Sequence, residues 1–415
     1  MEEFLYYAPT KVVFGKGCES RVGELIKEEG AGSALVVYGG SSAKKSGLLD
    51  RVFASLEAVG IKYVSMGGVK PNPRLSKVYE GIELAKEFGA EFLLAVGGGS
   101  VIDTCKAIGA GLKYDGDVWD LYIGKAICQG SAPVGAVLTI AATGSEMSNG
   151  SVITNDENLL KRSFDSNYCQ CKFAVMNPEL TYTLPPYQTA SGCVDIMMHT
   201  MERYFSVDSM ALTDAMSEAL MRTVLEYSRK VLKSPEDYEA RATIMWAGSL
   251  SHNGLTGCGS IGDWAPHMIE HELGGMFDVA HGAGLAAIWG SWARYVMKVK
   301  PSRFAQFAEN VMGITRRDSA EQTALEGIAA LESFFRELNM PTSLSSLGCE
   351  PTEGLEVLVG AALGQRHDAA LGDGRVELGQ IAELADKCCD GDTHTVGHFM
   401  PLKSSDVAAI LRAAK

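Results

Sequence analysis

Between residues 33 and 140 the chain switches repeatedly between two periodicities, and this switching limits the folds open to it. The run SALVVYGG (33–40) is short, apolar and closed by glycines, and residues 48–59 then carry apolar side chains at helical spacing. The same order returns in 61–68 and 75–88, in 91–96 and 101–112, and ends with the run 134–140. Runs that are apolar throughout read as strands buried on both faces. Their alternation with helices predicts a parallel sheet covered by helices.

Beyond the turn signals Asn177-Pro178 and Leu184-Pro185-Pro186 the pattern changes. Residues 187–205, 212–232, 235–255, 285–297, 302–312 and 320–338 all follow helical periods. A chain of 415 residues exceeds the size at which one core keeps growing. The expectation is therefore an α/β domain with a parallel sheet over 1–185, followed by an all-helical domain over 186–415. No internal repeat is present, and the Gly-rich, charged stretch 360–380 reads as a loop.

Acidic residues number 51 against 37 basic ones, a net charge of −14 that repels nucleic acid and anionic membranes. The first residues, MEEFLYYAPTKVVFGKG, lack the basic and apolar regions of a secretion signal. No uncharged apolar run reaches the roughly 20 residues of a membrane helix. None of the ten cysteines forms a C-x-x-C pair, so they read as thiols in a reducing cytosol, and a cytoplasmic location is expected.

Three loops carry the first chemical signal. Gly97-Gly98-Gly99-Ser100 lies between the run EFLLAV and a helix start. Glycines there let a ligand approach the backbone, and the helix N-terminus offers free N–H groups to a phosphate. A tight strand-to-helix turn without a ligand explains the same glycines. Gly39-Gly40-Ser41-Ser42 and the stretch Thr139 to Glu146, which includes Thr143, also follow strands, and ligands of doubly wound sheets gather at such strand ends. None of the three matches G-x-G-x-x-G, so the case rests on their convergence.

The second signal is a set of potential metal ligands. Asp195 and His199 are four residues apart in GCVDIMMHTMERYF, which stacks them on one helix face. His267, His271 and His281 follow within fifteen residues in WAPHMIEHELGGMFDVAHGAG. One Asp with several His gives a divalent cation a nitrogen and oxygen shell suited to Fe2+ or Zn2+. Any one of these histidines alone is as well explained by an ordinary hydrogen-bonded role. His267 to His271 also fits H-x-x-E-H, the inverted zinc-peptidase pattern with Glu270 as base, which leaves a metallopeptidase as the rival reading. That rival explains neither the glycine loops nor the Asp195/His199 pair.

Taken together, the stretches LLAVGGGSVIDTCKAI, DGDVWDLYIGKA, ATGSEMSNGSVITN, MNPELTYTLPPYQTASGCVDIMMHTMERYF and SHNGLTGCGSIGDWAPHMIEHELGGMFDVAHGAGLA resemble the iron-containing, or group III, alcohol dehydrogenases. The likeness is strongest to their butanol dehydrogenase and broad aldehyde reductase branch. It implies metal ligation by Asp195, His199, His267 and His281, with His271 beside the metal. A nucleotide cradle is implied at Gly39, Gly40, Ser41, Gly97, Gly98, Gly99, Ser100, Thr139 and Thr143, with Asp103 and Lys161 nearby. Further implications are an active site between an N-terminal dinucleotide-binding α/β domain and a helical metal-binding domain, a homodimer, and hydride transfer between NADPH or NADH and a small alcohol or aldehyde such as butanol or butanal. His271 is the candidate proton relay, its pKa class permitting exchange near neutrality. The sequence departs from the family at 365–377, where a further helix is usual, and at Cys169-Gln170-Cys171.

Cofactor choice has its own signal. NAD-preferring sites place a carboxylate near the adenosine ribose, and Val37 to Ser42 contains none. Glycine space, two serine hydroxyls and the nearby Lys44 and Lys45 favour a 2′-phosphate, so NADPH is expected to be accepted and preferred over NADH.

Overall fold

The computed structural model describes residues 1–349 and 379–415. The expected loop at 360–380 and the departure at 365–377 lie outside the described residues, except for Gly379 and Gln380, which open a helix. The chain divides into two compact units, Met1–Tyr204 with Asp208–Ser260, and Phe205–Val207 with Ile261–Lys415.

The first unit is built on six strands: β1 (Lys11–Phe14), β2 (Ser33–Tyr38), β3 (Lys62–Met66), β4 (Phe92–Gly97), β5 (Val134–Leu138) and β8 (Phe173–Met176). They lie in the order β1-β8-β5-β4-β2-β3, and every pairing is parallel. Two further strands, β6 (Gly150–Thr154) and β7 (Lys161–Asp165), make a separate antiparallel ribbon. Side chains of a strand alternate between faces, and β2 and β4 show the consequence. Ala34, Val36, Leu94 and Val96 pack with α1 (Val22–Glu28), the one-turn α2 (Ser42–Lys45) and α3 (Leu48–Ala58). Leu35, Val37, Leu93 and Ala95 pack on the other side with α4 (Leu75–Phe88), α5 (Gly99–Gly111) and the one-turn α6 (Trp119–Tyr122). Helices on both faces explain why these strands are apolar throughout.

The boundary expected at 185 marks where the secondary structure changes, since α7 (Pro186–Tyr204), α8 (Ala211–Lys233) and α9 (Tyr238–His252) follow it. By packing, these three helices belong with the sheet, and the compact division comes after Ser260. The reason is contact with the loop after β5. A Cβ at Gly192 of α7 would sit closer to the Ala141 carbonyl than the 3.0 Å that real Cβ atoms keep, and Ser249 of α9 donates to Glu146 at 2.5 Å. Periodicity carries no record of such contacts.

The second unit is helical, with α10 (Ala265–Phe277), α11 (His281–Val296), α12 (Pro301–Asn310), α13 (Ala320–Glu337) and the helices Gln380–Cys389 and Ser404–Ala413. Its core is aromatic. Phe205 stacks on Phe304 at 4.3 Å between ring centroids, and Trp289, Trp292, Phe307 and Phe335 are buried around them. All ten cysteines are free thiols, and only Cys128 among them is not buried. No helix of the described residues is long and apolar enough to cross a membrane.

Candidate active site

Strand order assembles the three loops. From β2 the chain moves outward to β3 and then returns to β4 on the other side of β2, so the direction of winding reverses between β2 and β4. Ligands of open α/β sheets bind at such a reversal, outside the carboxyl ends of the strands. Tyr38 pairs with Val96, which sets Gly39 beside Gly97, and Gly97 pairs with Leu138 of β5. The Thr139 amide donates to the Gly97 carbonyl at 3.1 Å, and the Gly68 amide to that of Gly39 at 2.8 Å. Gly39, Gly40, Ser41, Gly97, Gly98, Gly99, Ser100, Thr139 and Thr143 thus share one end of the sheet.

The glycines of the central loop are required by protein packing. A Cβ at Gly98 would overlap the Ile140 side chain, and one at Gly99 would overlap Thr143, both closer than 3.0 Å. The Ile140 and Thr143 side chains of the loop after β5 therefore pack directly on the glycine backbone at the start of α5. Gly40 differs, since a Cβ there meets nothing within 4 Å.

Asp103 and Lys161 lie behind this loop. Asp103 Oδ1 accepts from Ser145 Oγ at 2.6 Å, and its Oδ2 accepts from the Val152 amide at 3.2 Å. Burial pushes the Asp103 carboxyl up, while Lys106, these hydrogen bonds and Lys161 pull it back. Both Asp103 and Lys161 are buried; the Asp103 bond to Val152 braces α5 against the β6–β7 ribbon, where Lys161 is the first residue of β7. Lys106, which sequence reasoning did not single out, is fully buried and donates to the carbonyls of Ser145, Ser148 and Gly150 at 2.7, 2.9 and 2.8 Å. It pins residues 145–150 beneath the loop. A lone lysine in the apolar run VIDTCKAI was the available signal.

Asp195 and His199 occupy successive turns of α7, both buried, with His199 Nδ1 3.5 Å from Asp195 Oδ1. The His252 ring at the end of α9 meets His199 edge-on at 4.0 Å. His252 lies 53 positions downstream, and only the packing of α9 beside α7 brings it there. Gly144 in the loop after β5 fixes that position, since a Cβ on it would lie 2.7 Å from His252 Cβ. The strand-end loops and this Asp/His pair are therefore parts of one packed unit.

In the second unit α10 opens at Trp264, whose φ of 66° places a bulky residue in the left-handed region. Asp263 holds the turn, accepting from Ala265 N at 3.0 Å, His398 N at 3.0 Å and Phe399 N at 2.7 Å. His267 and His271 project from α10, and His281 is the first residue of α11. Their rings lie close, with centroids 5.2 Å apart for His267–His281 and 5.9 Å for His271–His281. Glu270 Oε2 contacts His281 Nδ1. Asp195 with His199, and His267 with His271 and His281, are thus each preassembled within their own unit.

A glycine-rich loop at the strand ends and clustered Asp and His donors suit a metal-dependent dehydrogenase. The sequence model of the family "Iron-containing alcohol dehydrogenase" matches residues 9–178, and that of "Fe-containing alcohol dehydrogenase family, C-terminal" matches residues 189–373. The chain is 41% identical to the probable NADH-dependent butanol dehydrogenase 2 of Bacillus subtilis, covering all of both proteins. It is 38% identical to the NADPH-dependent aldehyde reductase YqhD of Escherichia coli, over 89% of this chain and 97% of that protein. The crystal structure of NADH-dependent butanol dehydrogenase A from Thermotoga maritima superposes with a TM-score of 0.90 at 36% identity, over 100% of this chain and 99% of that one. The chain belongs to the iron-containing alcohol dehydrogenase family, and it is an oxidoreductase of that type. None of these relatives is a peptidase, and the metallopeptidase reading gains no support.

Proposed function

We propose that the protein interconverts small primary alcohols and aldehydes, with butanol and butanal as representative substrates, using NADPH or NADH and one divalent cation, Fe2+ or Zn2+. The observation that carries this reading is the packing of the strand-end loops against the Asp195/His199 helix, which joins a nucleotide cradle to half of a ligand set in one unit. Relatives of both cofactor classes, butanol dehydrogenases named for NADH and an aldehyde reductase named for NADPH, support the substrate class.

The donor chemistry fits a cation. Asp195 and His199 are buried side by side, as are carboxylate and imidazole groups that bind metals, and the second unit adds closely spaced His267 and His281. In the proposed assignment these four supply the ligands. When bound, the cation contributes Lewis-acid polarisation of the carbonyl, and the nicotinamide contributes the hydride. The chain's own residues bind and orient. Gly97 to Ser100 and Gly39 to Ser41 receive the phosphates and ribose, Thr139 and Thr143 shape the cradle, and Asp103, Lys106 and Lys161 hold it rigid. His271, partly exposed beside His281, delivers the proton to the product oxygen.

A homodimer is part of the proposal. Among the described residues the outer edge of β1 pairs with no strand, and a groove of about 760 Å3 beside it is lined by Val12, Phe14, Leu220, Trp246 and Leu250. An open strand edge flanked by apolar surface suits a second copy. Ten free thiols suit a reducing cytoplasm.

The test is cofactor oxidation across a panel of aldehydes with chelated protein, repeated after adding Fe2+, Zn2+ or Mn2+. Turnover that returns only with a cation supports the reading, and equal turnover without any cation overturns it. Light scattering of the eluting protein tests the dimer.

A further inference from the structure

Glu270 is the residue that made H-x-x-E-H resemble a peptidase motif, and the structure gives it different work. It lies on α10 between His267 and His271 and is fully buried. Helix α10 ends at Asp278, whose φ of 53° reverses the chain, and α11 starts three residues later at His281. That short connection folds α11 back on α10 and brings Glu270 Oε2 onto His281 Nδ1. The space for the carboxylate is built into α11. A Cβ at Gly284, one turn after His281, would lie 2.9 Å from Glu270 Cγ and 3.1 Å from Oε1.

We propose that Glu270 is a positioning residue, a carboxylate that holds His281 Nδ1–H and so presents Nε2 as the ligating atom. Resting on the four-ligand reading above, this role follows from imidazole chemistry. A neutral imidazole has one N–H and one lone pair, and the acceptor that takes the N–H decides which nitrogen keeps the lone pair. An anionic acceptor fixes the ring orientation and raises the basicity of the opposite nitrogen. Engaged in this way and enclosed by the helix pair, Glu270 has the surroundings of an orienting group. A base acting on water would need its carboxylate turned to solvent.

The experiment measures Zn2+ affinity of the full-length apo protein by competition with a chromophoric chelator, together with the visible spectrum of the Co2+-loaded form. Circular dichroism and thermal melts of each variant establish folding. Glu270→Ala is expected to weaken Zn2+ binding by about 10- to 100-fold, the usual effect of losing such a partner. Glu270→Gln keeps an acceptor oxygen and should recover most of that affinity. Gly284→Ala should weaken binding in the same direction by crowding the carboxylate, which keeps the test open if Glu270→Ala folds poorly. On a His281→Ala background, Glu270→Ala should change the affinity no further. Wild-type affinity in Glu270→Ala, or Gln no better than Ala, overturns the inference. If His281→Ala itself binds Zn2+ as the wild type does, the four-ligand reading fails. Loss in His281→Ala with none in Glu270→Ala removes the role of Glu270 alone.

Discussion

Gly192 of α7 and Ala141 of the loop after β5 are in backbone contact, so close that a Cβ at 192 would overlap the Ala141 carbonyl. This junction ties the helix bearing Asp195 and His199 to the loop bearing Thr139 and Thr143. Gly192→Ala is therefore expected to reach both functions. Overpacking of this kind costs about 1–3 kcal/mol, and displacement of the loop should also weaken cofactor binding. Thermal melting and cofactor titration by fluorescence check this, and a variant with unchanged melting and cofactor affinity would contradict the coupling.

Removal of a proposed ligand gives the next expectation. His267→Ala or His281→Ala should abolish aldehyde reduction and lower bound metal, because an incomplete shell loses affinity steeply. Elemental analysis decides it. Full metal occupancy in both variants would rule out the four-ligand assignment.

Lys106 predicts a stability effect without chemistry of its own. Lys106→Met removes the donor that satisfies the Ser145, Ser148 and Gly150 carbonyls, and each buried acceptor left unpaired costs about 1–3 kcal/mol. The urea midpoint should fall accordingly. An unchanged midpoint would mean that the carbonyls find other partners.

Cofactor preference can be tested cleanly because Gly40 faces open space. The Cβ of Gly40→Asp meets no neighbour, so its main effect is expected to be electrostatic. It should weaken NADPH by roughly 1–3 kcal/mol through repulsion of the 2′-phosphate. Steady-state kinetics with both cofactors measure it. A wild type that runs much better with NADH, or a variant with an unchanged NADPH/NADH ratio, would refute the proposed preference for NADPH.

Cys128 should stand out among the ten thiols. A hydrogen bond from Cys169, with help from Ser166 and the backbone at Gly130, lowers its pKa to about 6. The same contact pushes Cys169 far up. Since the thiolate is the nucleophile, alkylation of Cys128 by iodoacetamide should rise as pH passes through about 6 and level off above it. Cys169→Ser retains a donor and should keep much of this shift, and Cys169→Ala should return Cys128 toward an ordinary thiol. Peptide mass spectrometry across pH reads the outcome, and a rate still climbing beyond pH 8 in the wild type would contradict it.

Local sequence already determined the strands β2 to β5, the helices α3, α4 and α13, and the pairing of Asp195 with His199. Each is set by neighbours along the chain: apolar runs bounded by glycine, apolar residues at helical spacing, or two ligands one turn apart. The edge strand β1, the four-residue β8 and the β6–β7 ribbon went unread because short or polar strands gain their hydrogen bonds from distant partners. Tertiary structure alone decided that α7 to α9 pack with the sheet, that His252 lies against His199, and that Lys106 is caged by carbonyls. It also decided that Glu270, read along the chain as a possible base, turns onto His281. These relationships depend on which backbones can approach each other, at Gly144, Gly192 and Gly284, and close approach between distant segments leaves no periodicity in the sequence.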